Sequence, residues 1–293
     1  MPIPEELIAE RMSDNPWHDY DELTRNGWVY QNGEYVKVKP TVGVAKKNLE
    51  KNPNVLADAH ELVKTLDTEG FALLDSTSTL LLAGVSTSDV KTLESSWNHL
   101  EKDHHLKDGG NYRSRRHASV VISGNQVSRV AHRAHWQPTT YNALHGGIHR
   151  WFEPIGEEFL NSEPVKKLLT WIANTASKID KHERWFGEVH QFRIDTTGGI
   201  GRPTPEGAHR DGVDWVALFM VGRHNICGGD THVFKLNSNE GYRFLMDKPW
   251  SLMLMNDRRV IHETTPIQPI DAPGWRDTLV ITLRANGFLD SAK

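Results

Sequence analysis

The chain has 293 residues, of which 38% are apolar and 25% charged, a balance that suits one large domain, or one domain plus an extension, with room for a buried site. A formal net charge of −4 excludes the basic field that nucleic acid or an anionic membrane surface calls for, and no apolar run approaches the roughly 20 residues that span a bilayer. The single cysteine, Cys227, rules out an intrachain disulfide, and the opening MPIPEELIAERMSDNPW lacks the apolar stretch of a signal peptide, so the expectation is a soluble, cytoplasmic protein.

Residues 1–55 are polar, with scattered Trp and Tyr and no sustained period, and read as an N-terminal extension that packs on the surface or on a partner subunit of a homo-oligomer. A domain over 56–293 follows. Its first segment, LADAHELVKTLDTE, has Leu62, Val63 and Leu66 at helical spacing, then Gly70 and the apolar run FALLD, which predicts helix, glycine, strand. A second amphipathic helix places Val90, Leu93, Trp97 and Leu100 on one face. HASVVIS at 117–123 has strand character, and helices are predicted at about 148–160 and 164–180, the latter with Ser162 as N-cap and Pro164 in its first turn.

From Trp185 the texture changes. WFGEVHQFRI, VDWVALFMV, THVFKL, WSLMLM, RRVIHETTPI and DTLVITLR are short β-prone runs separated by Gly, Pro, Asn and Asp. Such spacing predicts a sandwich or barrel over about 185–285. The fold expectation is α+β, mainly β: a double-stranded β-helix (jelly roll, cupin-like) with a helical layer from the N-terminal half.

Within that core, Gly207-Ala208-His209-Arg210-Asp211-Gly212 leads into VDWVALFMV. Side chains two apart in extended backbone share a face, so His209 and Asp211 converge on one point. His262 lies 51 residues after Asp211 in another β-prone run. Two imidazoles and one carboxylate leave coordination positions open, the facial arrangement of non-haem Fe(II) oxygenases. The H-x-D spacing alone is weak in a chain with 16 His and 38 Asp plus Glu, where a surface pair is the plain alternative. Arg276 strengthens the reading. It begins an alternation with Thr278, Val280 and Thr282, so that a guanidinium and a hydroxyl can take a carboxylate together. Gly228-Gly229-Asp230 reads as a hairpin turn between the two ligand segments.

Taken in order, His190-Gln191-Phe192-Arg193, His209-Arg210-Asp211, Gly228-Gly229-Asp230, His262-Glu263-Thr264-Thr265-Pro266 and Arg276-Asp277-Thr278-Leu279 resemble the Fe(II)/2-oxoglutarate-dependent dioxygenases of the bacterial L-isoleucine 4-hydroxylase type. The resemblance covers His190 to Thr282 well and the chain before residue 185 thinly. It implies a jelly-roll core, Fe(II) on His209, Asp211 and His262, and 2-oxoglutarate on Arg276 with help from Thr278. It also implies hydroxylation of a free L-amino acid by dioxygen, with succinate and CO2 as coproducts. An N-modified, carrier-bound or peptide-bound amino acid is the alternative substrate, and a non-catalytic metal-binding jelly roll the alternative class. An amino-acid substrate calls for arginine and an acidic partner. Arg193 and Gln191, Arg113 and Arg115 (an R-x-R segment like the family's) and Asp214 are the candidates. The relatives carry an acidic residue directly after the metal aspartate, where this chain has Gly212. His132 and His135, and His145 and His149, read as surface or packing residues, Cys227 as a small buried residue, and the ten tryptophans as packing.

Overall fold

The computed structural model describes residues 28–31, 34–37 and 48–290, apart from 143, 145 and 237–239, so the remainder of the predicted extension and His145 lie outside the described residues. Trp28–Gln31 (β1) pairs antiparallel with Glu34–Lys37 (β2). Asn48–Lys51 (β3), within the stretch expected to be the N-terminal extension, runs parallel to Glu240–Leu245 (β12).

The larger sheet has eight strands, in spatial order Val55–Leu56 (β4), Phe71–Leu74 (β5), Leu252–Asn256 (β13), Trp215–His224 (β9), Trp275–Arg284 (β16), Arg184–Asp195 (β8), Arg113–Ser123 (β6) and Gln126–Arg129 (β7). A four-stranded sheet opposes it: Val260–Thr264 (β14), Asp230–Lys235 (β11), β12 and β3. Ile226–Gly228 (β10) and Ile267–Pro269 (β15) pair separately. This is the jelly-roll arrangement that the β-prone runs predict.

Alternation along β9 shows why both its faces are apolar. Trp215, Ala217 and Phe219 are buried in one core cluster, on the helix side, and Val216, Leu218 and Met220 in another, with Val233 of β11. The helices come from the N-terminal half: Ala59–Glu69 (α1), Ser76–Ala83 (α2), Thr87–Leu93 (α3), Glu157–Asn161 (α4) and Glu163–Asp180 (α5). Asp58 caps α1 by accepting from the amides of His60 and Glu61 at 2.8 Å, and Gly70 ends it at φ 82°. Ser86 and Asp89 form a reciprocal capping box on α3, which tightens into a 3-10 turn at Glu94–His99 and so keeps Val90, Leu93 and Trp97 buried. Leu168, Leu169 and Ile172 of α5 are fully buried, each contributing roughly 1.5–3 kcal/mol relative to exposure.

Two local expectations need correction. The predicted helix at 148–160 exists only as Glu157–Asn161. Arg150 and Phe152 are buried while Trp151 and Glu153 are exposed, a period of two, and Pro154 and Gly156 follow, so the segment is extended and bridges His135 and His117. Ser162 does occupy the N-cap position of α5, but its hydroxyl donates to the Phe159 carbonyl instead of capping.

Candidate active site

A cavity opens between the sheets, and strand parity decides what enters it. On β16, Arg276, Thr278, Val280 and Thr282 line it. These pair with Ile194, Phe192, His190 and Glu188 of β8, and all four face inward. On β6, Arg113 and Arg115 register with Ile194 and Phe192 and also face inward.

The three expected ligand residues meet at one end. One donor atom from each of His209, Asp211 and His262 lies within 4.8 Å of the others. His209 Nε2 is 3.7 Å from Asp211 Oδ1, and His262 Nε2 is 3.8 Å from Asp211 Oδ2. Distant segments meet there because His209 and His262 exchange both backbone hydrogen bonds, each 3.0 Å. His209 Nδ1 donates to the Gly207 carbonyl at 2.9 Å, which fixes the ring with Nε2 facing the cluster, the nitrogen whose proton an ion would displace. Asp257, absent from the sequence reading, accepts from the amides of Asp211, Gly212 and Val213 at 3.0, 2.8 and 3.1 Å and so shapes the loop. Gly212 holds φ 78° with the Tyr141 ring against it, and a Cβ there would stand 2.4 Å from that ring.

The electrostatics suit a cation. Burial disfavours a charged His209, yet Glu206, 3.6 Å away, and Asp211 outweigh it and raise the ring to about 10. Burial also opposes an ionised Asp211, but His209 pulls its carboxyl well below the usual range. Burial, then the charge on His209, push His262 down to about 4. A triad that retains one proton so strongly has a place for positive charge, which a divalent ion fills better.

Arg276 stands deeper in the cavity, 2% exposed, with Nε and one terminal nitrogen lacking any hydrogen-bond partner. Burial, reinforced by Arg223, lowers it to about 10: a buried guanidinium short of negative charge. Thr278 is beside it on the same face. This arrangement fits a carboxylate, as the distal end of 2-oxoglutarate would supply.

The Gly228-Gly229-Asp230 segment is a connector rather than a hairpin turn, because β10 and β11 do not pair with each other. Both glycines have φ above 70°, and Gly229 donates to the Pro266 carbonyl. A Cβ on Gly228 would stand 2.4 Å from the Pro266 oxygen. The motif thus pins the chain just after His262.

Several substrate candidates lie elsewhere. Arg193 and Gln191 have the wrong parity: Arg193 closes on Asp277 at 2.8 and 2.7 Å, and Gln191 donates to Ser96 at 2.8 Å. Asp214 accepts from the amide of Ala285 at 2.8 Å and does not line the cavity. Arg113 and Arg115 do line it, joined by Arg150, which the sequence reading missed. All three are at most 5% exposed, and each leaves a guanidinium nitrogen without a partner.

His135 is likewise a correction. It is buried and lines the cavity with Glu188 and His190, in one cluster with the fully buried His117. Neutral His135 donates from Nδ1 to Glu188 at 3.0 Å, burial holding it down to about 4, while Arg133 lies 3.6 Å from the carboxylate. Four such residues resemble a second metal site, yet Arg115 donates to His190 Nδ1 at 2.8 Å. With two guanidinium groups against the cluster, a further cation is unfavourable, and the cluster is a hydrogen-bonded wall. His132 is exposed, as expected of a surface residue, its ring bonded to the Phe152 carbonyl at 2.9 Å. Cys227, expected buried, is exposed. No helix among the described residues is long and apolar enough to cross a membrane.

Comparison with known proteins bears on the fold and the chemistry together. The chain is similar to a bsmA homologue from Methylobium petroleophilum PM1, with 42% identity and a TM-score of 0.79 over 84% of this chain and 100% of that one. It shares its fold with IDO from Bacillus thuringiensis, at 16% identity and TM-score 0.64, over 78% of this chain and 95% of that one. The Fe(II)/α-ketoglutarate-dependent dioxygenase TqaL shares the fold too, at 18% identity and TM-score 0.60, over 77% and 86% of the two chains. No curated protein matches. The model of the 2OG-Fe dioxygenase family matches residues 94–282, nearly two-thirds of the chain, so the protein belongs to that family, an oxidoreductase with Fe(II) and 2-oxoglutarate as cofactors and dioxygen as cosubstrate.

Proposed function

We propose that the protein hydroxylates an unactivated C–H of a free L-amino acid, with His209, Asp211 and His262 holding Fe(II) and Arg276 and Thr278 holding 2-oxoglutarate. Bound there, iron and 2-oxoglutarate supply with dioxygen an oxidant strong enough for such a bond, leaving succinate and CO2. The residues do the placing. Arg276 fixes one end of the cosubstrate, and its burial strengthens the pairing. Phe192, Val216, Leu218 and Val280 line the cavity with apolar surface, which excludes water from the reacting carbon.

The observation that carries the substrate reading is the second set of buried cations. Arg113 is matched by Asp103 at 2.7 Å, Arg115 shares that same carboxylate at 3.9 Å, and Arg150, which burial lowers to about 10, forms no ion pair among the described residues. A substrate carboxylate answers that deficit. In place of Asp214, Glu206 is suited to the ammonium: it lines the cavity beside His209 and its buried Oε2 has no partner. A site with one anion acceptor and one anion, in a cavity with apolar walls, matches a zwitterion.

The test is a succinate-release screen over the proteinogenic amino acids and their N-acyl and amide derivatives. The expected result is turnover stimulated by a free amino acid and abolished by blocking either its amino or its carboxyl group. Stimulation only by N-modified or peptide-linked forms would overturn the free-amino-acid reading.

A further inference from the structure

Between the triad and the arginine-lined wall stands one buried amide. Gln137, 6% exposed, donates from Nε2 to Asp211 Oδ1 at 3.2 Å and reaches the Asp211 carbonyl at 3.3 Å. Its Oε1 accepts from Arg150 at 2.8 Å and from Asn142 at 3.4 Å. A guanidinium only donates and an ionised carboxylate only accepts, so an amide between them has a single sense. The orientation of Gln137 is therefore fixed by chemistry on both sides.

We propose that Gln137 is the positioning residue for the metal carboxylate, and that through it Arg150 couples occupancy of the substrate side of the cavity to the metal side. The inference rests on the reading that Asp211 is a metal ligand. Asp257 holds the Asp211 loop through three backbone amides and the Arg210 side chain without touching the Asp211 carboxylate, whose Oδ1 accepts from Gln137 and faces His209 Nε2 at 3.7 Å. With Oδ1 engaged, Oδ2, which faces His262 Nε2 at 3.8 Å, is presented to the ion. Arg150 lines the cavity with its Nε unpartnered, so an anion bound there competes for the guanidinium that polarises the amide. A single side chain then links the two halves of the site. Outer partners of metal ligands typically alter metal affinity 10–100-fold when removed.

The test uses Co(II) as the probe on the full chain, reading both its dissociation constant and its visible absorption envelope, with near-ultraviolet circular dichroism to check the fold. Gln137→Met is expected to weaken Co(II) by about 10-fold or more. Gln137→Glu, which keeps an acceptor for Arg150 but turns an acceptor onto Asp211, is expected to change the absorption envelope while retaining the fold. Arg150→Met alone weakens Co(II) by a smaller factor, and adding it to Gln137→Met produces no further change, because the coupling runs through the amide. Wild-type affinity and spectrum in both Gln137 variants, or an undiminished Arg150 effect in the double variant, overturns the proposal. If the unaltered protein binds no Co(II), the assignment of the triad fails first, and the two failures are told apart.

Discussion

Two arginines one register step apart sit on opposite faces of the large sheet and have opposite characters. Arg276 pairs in register with Ile194 and points into the cavity, 2% exposed, with two nitrogens unsatisfied. Arg193 pairs in register with Asp277, points to the helix side, and closes a two-pronged ion pair there, stacked 4.8 Å from the Trp275 ring centroid. Both are arginines on long strands, each with an aromatic residue directly before it. An arginine that has its counter-ion is part of the scaffold, whereas a buried one that lacks it is built for a ligand.

The comparison can be broken first at Arg276. Arg276→Met should raise the 2-oxoglutarate requirement by roughly 30- to 1,000-fold while leaving Fe(II) affinity within a few-fold, the usual loss when one partner of a buried charge pair is truncated. Titrating each against the other at saturation measures this, and an equal loss of both would make the arginine structural. Next in size is the response of the cavity wall to acid. His135 is held near 4 in the folded protein against 6.5 unfolded, so between those values the unfolded chain binds more protons. Stability is then greatest above pH 6.5 and falls by up to about 3 kcal/mol as pH drops toward 4. His135→Asn, which keeps a donor near the Nδ1 position, should flatten the slope between pH 5 and 6.5 in urea titrations, and an unchanged slope would show that the ring is already charged. Smaller again is Arg193→Met. It should cost about 2 kcal/mol of stability by leaving Asp277 unpaired yet shift 2-oxoglutarate affinity less than 3-fold. A large affinity change would restore Arg193 to the site. Least of all, Cys227→Ser at an exposed position should move stability by less than about 0.5 kcal/mol in thermal melts.

What was legible in the sequence follows the same division. His209, Asp211, Arg276 and Thr278 were readable because alternation within one strand or its approach fixes which side chains share a face. His190-Gln191-Phe192-Arg193 was readable only as a strand: which parity faces inward depends on its register with β16, a long-range fact, and the arginine and glutamine proved to be the outward pair. Gln137, Arg150, Glu188 and Asp257 had no local mark at all. They reach the site through extended segments and loops whose pairing spans tens of residues, as in the bridge between His135 and Arg150 and the contact of Asp257 with Asp211. The jelly roll itself was legible because turn residues punctuate its strands regularly. The missing part of the predicted helix at 148–160 was not, since one buried–exposed alternation over four residues is easily read as a helical face.

Everything chemical depends on two imidazoles and a carboxylate, drawn from segments far apart in the chain, gripping one ion that also takes 2-oxoglutarate. The direct measurement is the visible spectrum of the anaerobic protein with Fe(II) and 2-oxoglutarate added together. A weak charge-transfer band should appear with the unaltered chain and vanish in His209→Ala and in His262→Ala. A spectrum without that band in the unaltered protein, or one that survives loss of His262, would contradict the account.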